Sequence, residues 1–115
     1  MTVTIYHNPR CSTSRKTLAL LEGRGIRPTV VEYLKTPPDA ATLRQWLKAM
    51  GIAPRALMRR KEPVYKDLGL DDPKMSEAAL VAAMVANPIL IERPVVVRGA
   101  KVALGRPPEA VLVLL

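Results

Sequence analysis

From Thr2 to Tyr33 the chain reads strand, helix, strand, and that order restricts the fold more than any other feature of the sequence. Thr2 to Tyr6, TVTIY, is β-branched and alternating, the pattern of a strand. Asn8-Pro9 breaks the pattern. Ser12 to Leu21 carries Leu18 and Leu21 three apart and stops at Gly23-Arg24-Gly25, which predicts a helix. Thr29 to Tyr33, TVVEY, is a second strand. A crossover of this length makes the two strands parallel.

The middle of the chain is helical. Pro37-Pro38-Asp39 opens a helix with Asp39 as its cap; Leu43, Trp46, Leu47 and Met50 follow at helical spacing, and Gly51 ends it. Short helical pieces are expected through Leu57 and Val64, and a further helix from Ser76 to Asn87-Pro88. Strand chemistry then returns. Pro94 to Val97 and Val102 to Leu104 flank Arg98-Gly99, which suits a hairpin, and a last helix is expected at Glu109 to Leu114. The chain thus reads βαβ, a helical insertion at about residues 39–87, then ββα. That predicts an α/β fold with a mixed four-stranded sheet, in one domain spanning residues 1–115. A chain of 115 residues suits a single core, which Leu, Val, Ile, Ala and Met must fill because phenylalanine is absent.

Charge and cysteine usage narrow the function classes. The net charge is +8, from 18 basic and 10 acidic residues, which favours a polyanion or a small oxyanion as ligand. Nucleic acid would ask for stacking aromatics, and Tyr6, Tyr33, Trp46 and Tyr65 are the only aromatic residues, so no nucleic-acid partner is expected. No apolar run approaches the ~20 residues of a membrane span, and the first residues lack the basic start and apolar run of a secretory signal. One cysteine cannot form an internal disulfide. A reducing compartment follows as the expectation, hence a cytoplasmic location.

The chemistry concentrates in YHNPRCSTSR, Tyr6 to Arg15, which holds the only histidine and the only cysteine of the chain. A cysteine directly after a strand and at the first turn of a helix meets unpaired backbone N–H groups and the positive end of the helix dipole. Both favour thiolate, the nucleophilic form; a free cysteine with pKa about 8.5 is only about 3% thiolate at pH 7. His7 and Arg15, each four positions from Cys11, are candidates to add to that stabilisation. Cys11-Ser12-Thr13-Ser14 is a C-x-x-C motif whose second sulfur is replaced by a hydroxyl, so a thiol from outside the chain must resolve any adduct on Cys11. A phosphatase-type loop would need arginine at the position of Thr17, and one cysteine with one histidine cannot build a zinc site, so no metal is expected.

HNPRCSTSR resembles the active-site stretch of the glutaredoxin-coupled arsenate reductase (ArsC-like) family, whose fold is thioredoxin-like. Two distant segments are similar as well: RALMRR, and NPILIERPVVV followed by GRPPE. The resemblance spans essentially the whole chain, and because the chain ends at Leu115 it is closest to the family's shorter branch. It implies Cys11 as nucleophile, Arg59, Arg93 and Arg106 as the arginines that hold the oxyanion, and His7, Ser14, Arg15 and the cis-proline Pro94 in support. Arginine suits that task because its planar fork offers several donors and does not deprotonate. The implied reaction is reduction of arsenate to arsenite through a thiol-bound arsenate, with glutathione as co-substrate, glutaredoxin as partner and no bound cofactor. Arg55, Arg60 and Arg98 are read as surface charge, and Arg10 as pointing to solvent. Two alternatives stay open: a general glutathione-linked thiol oxidoreductase, and a non-enzymatic regulator of the same fold that binds RNA polymerase. Such regulators switch through C-x-x-C, which Ser14 replaces here.

Overall fold

A computed structural model describes residues 2–115, which form two compact units. The first comprises residues 2–36 and 93–115, the second residues 37–92.

The first unit is built on a four-stranded sheet in the order β2-β1-β3-β4, where β1 is Val3–His7, β2 Thr29–Glu32, β3 Val95–Arg98 and β4 Lys101–Leu104. β1 pairs parallel with β2, as the crossover through helix α1 (Ser12–Gly23) requires. It pairs antiparallel with β3, which pairs antiparallel with β4, so the sheet is mixed. Burial alternates along β1: Val3, Ile5 and His7 point inward. Val3 and Ile5 join Leu21, Val96, Val111 and Leu114 in the core. His7 continues the same face, so the period of the strand drives an imidazole into the protein.

Three expectations are corrected in this unit. The hairpin turn lies at Gly99-Ala100, not Arg98-Gly99, because Arg98 still pairs with Lys101 and Gly99 supplies the positive φ of the turn. The last element, Pro108–Leu114, is a 3₁₀ rather than an α-helix. Its buried residues, Val111 and Leu114, stand three apart, so a three-residue repeat delivers both to the core. Arg98 is also no surface charge: its Nη1 donates to the Leu114 carbonyl at 2.7 Å and ties this element to the sheet.

The second unit carries α2 (Ala40–Met50), a 3₁₀ turn Pro54–Leu57, α3 (Pro63–Asp67), α4 (Glu77–Ala86) and a 3₁₀ turn Pro88–Leu90. Local signals set these boundaries. Asp39 accepts the Thr42 N–H at 2.8 Å and Ser76 accepts the Ala79 N–H at 3.1 Å, so each helix starts at a side-chain cap. Gly51 closes α2 in the left-handed region, at φ 65°. Leu43, Trp46 and Leu47 form the buried stripe of α2. Arg55 is another correction, since its Nε and Nη2 donate to the carbonyls of Leu70 and Asp72; Arg60 is exposed as expected. An isolated antiparallel bridge between Met58 and Ile91, with Arg59 N–H donating to Leu90 and Glu92 N–H to Leu57, draws Arg59 beside Glu92. No helix among the described residues is long and apolar enough to cross a membrane.

Candidate active site

Asn8-Pro9-Arg10-Cys11 is a β-turn: the Asn8 carbonyl accepts the Cys11 N–H at 3.0 Å, with proline at the second position. The Asn8 side chain reinforces it by accepting the Arg10 N–H at 3.0 Å, an Asx-turn that the Asn-Pro dipeptide favours. Arg10 itself is exposed. The turn ends on Cys11, which is the N-cap residue of α1 with extended backbone angles (φ −92°, ψ 122°).

Cys11 is half-buried, and burial alone raises its pKa. Opposing this are the N–H of Ser14, the hydrogen bond and charge of the Arg93 guanidinium, and the N–H of Thr13. The balance lies below the ordinary thiol value, so the site favours thiolate. The thiol closes no capping hydrogen bond of its own. The amides act because they face the sulfur from the helix N-terminus, and the anion gains from that orientation more than the neutral thiol does.

His7 and Arg15, the candidates to add to that stabilisation, are held by Ser14 and Pro9 respectively. His7 is buried, which lowers its pKa; the charge of Glu32 works against this and that of Arg15 with it. The imidazole is therefore neutral at pH 7. Its Nδ1 lies 2.6 Å from the hydroxyl of Ser14, which is fully buried and also accepts the Asn8 N–H at 3.1 Å. A ring protonated at Nε2 fits this arrangement, with the Ser14 hydroxyl proton directed at Nδ1. Arg15 donates from Nη1 to the Pro9 carbonyl at 2.8 Å, so it braces the turn that presents Cys11.

Arg93 supplies the cation. Only 9% of it is exposed, and its Nε and Nη1 have no hydrogen-bond partner among the described residues. It immediately precedes Pro94, and the Arg93–Pro94 peptide is cis, as is Arg106–Pro107. Arg106 sits beside it: its Nε donates to the Arg93 carbonyl at 3.1 Å. The first unit thus brings together His7, Cys11, Ser14, Arg15, Arg93, Pro94 and Arg106. Arg59 belongs to the second unit, where its guanidinium is engaged by Glu62 at 3.2 Å and Glu92 at 3.4 Å. Asn8, which builds the turn and bonds Ser14, was not among the expected site residues, although its Asn-Pro dipeptide marks it. No three His, Cys, Asp or Glu side chains among the described residues come together as a metal site would require.

A half-buried thiol of lowered pKa at the strand-to-helix turn, with the Arg93 guanidinium beside it from the head of an antiparallel strand, places the chain in the thioredoxin-like class. It belongs to the ArsC family, whose profile matches residues 6–114. Among its relatives, the "Uncharacterized protein YfgD" of Escherichia coli (strain K12) is 60% identical over 96% of this chain and 93% of its own. The "Arsenate reductase" of Rhizobium meliloti (strain 1021) is 51% identical over all of this chain and 82% of its own. A solved structure of an arsenate reductase from Vibrio cholerae, 52% identical, superposes with a TM-score of 0.97 over all of this chain and 98% of that one.

Proposed function

We propose that the protein reduces arsenate to arsenite, with Cys11 as nucleophile, glutathione as co-substrate and glutaredoxin as the second thiol. The observation that carries this reading is Arg93: a buried guanidinium beside a cysteine of lowered pKa, with two N–H positions unpartnered. A buried donor left unmade costs about 1–3 kcal/mol, and an oxyanion accepting from it recovers that energy as charge-assisted bonds. Arsenate and the thiolate repel each other, so the cation serves to hold one against the other and to stabilise the charge that builds up during attack. The names of the relatives agree with this substrate.

The Cys11 sulfur bonds arsenic and one arsenate oxygen leaves, protonated, as water. Glutathione displaces a second oxygen in the same way. The glutaredoxin thiol then attacks the glutathione sulfur, the As–S electron pair stays on arsenic, and arsenic(V) becomes arsenic(III). Water releases arsenite and restores Cys11. The oxidising equivalent leaves as the glutaredoxin–glutathione disulfide, consistent with Ser14 standing where a resolving cysteine would be. In this reading residues 1–115 act as one catalytic domain in the reducing cytoplasm. Arg59 and Arg106 keep the oxyanion contacts that RALMRR and GRPPE imply. His7 and Ser14 hold the turn, and no bound cofactor is needed.

Arsenite formation with glutathione, glutaredoxin and NADPH-driven regeneration tests the proposal. Turnover by the native chain and none by Cys11→Ser is expected. No turnover by the native chain, or undiminished turnover by Cys11→Ser, contradicts it. Activity on glutathione mixed disulfides without saturation by arsenate would instead select the general thiol oxidoreductase.

A further inference from the structure

Gly105 is buried at the end of β4, and no positive φ requires a glycine there. Space does. A Cβ built at residue 105 would lie 2.6 Å from Thr17 Oγ1 and 2.8 Å from Pro94 Cγ, closer than real side chains approach, and 3.0 Å from Thr17 Cγ2. The Gly105 N–H donates to the Pro94 carbonyl at 2.9 Å, extending the β3–β4 ladder one step beyond the Val95–Leu104 pair. The next residue, Arg106, donates to the Arg93 carbonyl. Gly105 and Arg106 therefore fasten both carbonyls of the Arg93-Pro94 pair.

The other side of this contact is α1. Thr17 is fully buried, although it is polar and sits on a helix face that a core would ordinarily fill with leucine or valine. Its hydroxyl donates back to the Thr13 carbonyl at 2.8 Å, satisfying it within the helix. Thr13 lies in the first turn, and its own amide faces the Cys11 sulfur. Contacts thus run in a closed circuit: Cys11 at the head of α1, Thr17 farther along that helix, Gly105, Pro94, then Arg93, whose guanidinium returns to the sulfur.

We propose that Gly105, seated against Thr17, is a positioning residue that sets the separation between α1 and the Arg93-Pro94 segment, and so places the Arg93 guanidinium against Cys11. It touches no reacting atom and acts through Arg93. The proposal deepens the reading of this site as a thiolate paired with a cation, but it does not depend on arsenate being the substrate. A residue that merely filled space would affect stability and leave the chemistry of Cys11 untouched.

Iodoacetamide alkylation of Cys11 as a function of pH, which needs no arsenate, tests this in Gly105→Ala, Thr17→Ala and Arg93→Gln, and in each of the first two combined with Arg93→Gln. For Gly105→Ala the midpoint should rise and the rate at pH 7 should fall about three- to tenfold. That range is what one charge-assisted hydrogen bond lost from a thiolate gives, once the higher nucleophilicity of a more basic sulfur is allowed for. In the Arg93→Gln background Gly105→Ala should add nothing. A native profile in folded Gly105→Ala, or an equal rise without Arg93, overturns the proposal. If Gly105→Ala does not fold, Thr17→Ala decides, since it removes the contact without adding atoms. A smaller upward shift that vanishes in Arg93→Gln supports the proposal; a native profile, or a shift that survives in Arg93→Gln, overturns it. Failure to turn over arsenate, with these shifts present, would count against the substrate and not against the positioning.

Discussion

Replacing Ser14 with alanine should cost far more than one oxygen atom suggests. Ser14 is fully buried, and its hydroxyl meets two groups that are almost as deeply buried, the His7 ring at 2.6 Å and the Asn8 N–H at 3.1 Å. Alanine leaves both without this partner. A buried polar group left without its partner costs about 1–3 kcal/mol, and two together about 2–6 kcal/mol. The better helix propensity of alanine returns only about 0.5 kcal/mol. The remainder is a large share of the ~5–15 kcal/mol that holds a domain folded. Urea unfolding followed by circular dichroism should show the midpoint falling by about 1–2 M at ordinary slopes. The backbone amide at residue 14 survives the substitution, so the pH midpoint for Cys11 alkylation should stay close to that of the native chain. A loss of less than about 0.5 kcal/mol, the range of indifferent surface changes, would refute the reasoning. It would mean that the hydroxyl is not the joint between β1, the turn and α1.

Acid should weaken the fold through His7. Its pKa is lowered in the folded state from the ordinary 6.5, so as pH falls below about 6.5 the unfolded chain takes up a proton that the folded one resists. Urea midpoints should therefore drop between pH 7 and pH 5.5, and His7→Gln should flatten that slope even if its own stability is lower; an unchanged slope would contradict a buried neutral imidazole. Gly51→Ala should lose about 1–2 kcal/mol because φ is 65° there. Gly23→Ala, in the last turn of α1 with nothing within 4 Å of the added carbon, should gain about 0.5 kcal/mol; equal effects at the two sites would contradict the conformational account. Glu62→Gln and Glu92→Gln should each cost under about 1 kcal/mol, as expected for partly exposed ion pairs with Arg59, and larger losses in thermal melts would show that Arg59 is a structural keystone.

Features fixed by neighbouring residues were legible in the sequence. Asp39, Gly51 and Ser76 mark helix ends through their own side chains or lack of one, and the structure places all three at caps. The parallel β1–β2 pair followed from the length of the crossover. The neutral state of His7 was half legible, because the alternation of Val3, Ile5 and His7 already points its ring inward. Helical spacing puts Arg15 one turn from Cys11, but it does not announce that the guanidinium reaches back to the Pro9 carbonyl. Arg93, distant in sequence, comes to the sulfur through the β1–β3 pairing instead. The resemblance to a family found that arginine where periodicity could not. Nothing local marks Gly105 or Thr17, since what constrains each is the other. Arg59 is similar, for the Met58–Ile91 bridge that carries Glu92 to it is a pairing no single segment announces.

The central claim is that Cys11 and Arg93 together form a seat for a tetrahedral oxyanion. Arsenate protection of Cys11 tests it most directly: iodoacetamide labelling at fixed pH, without glutathione, across a range of arsenate concentrations. Saturable slowing is expected in the native chain and little or none in Arg93→Gln, where the two buried donors are gone. Labelling that arsenate leaves unchanged in the native chain, or slows equally without Arg93, would contradict it.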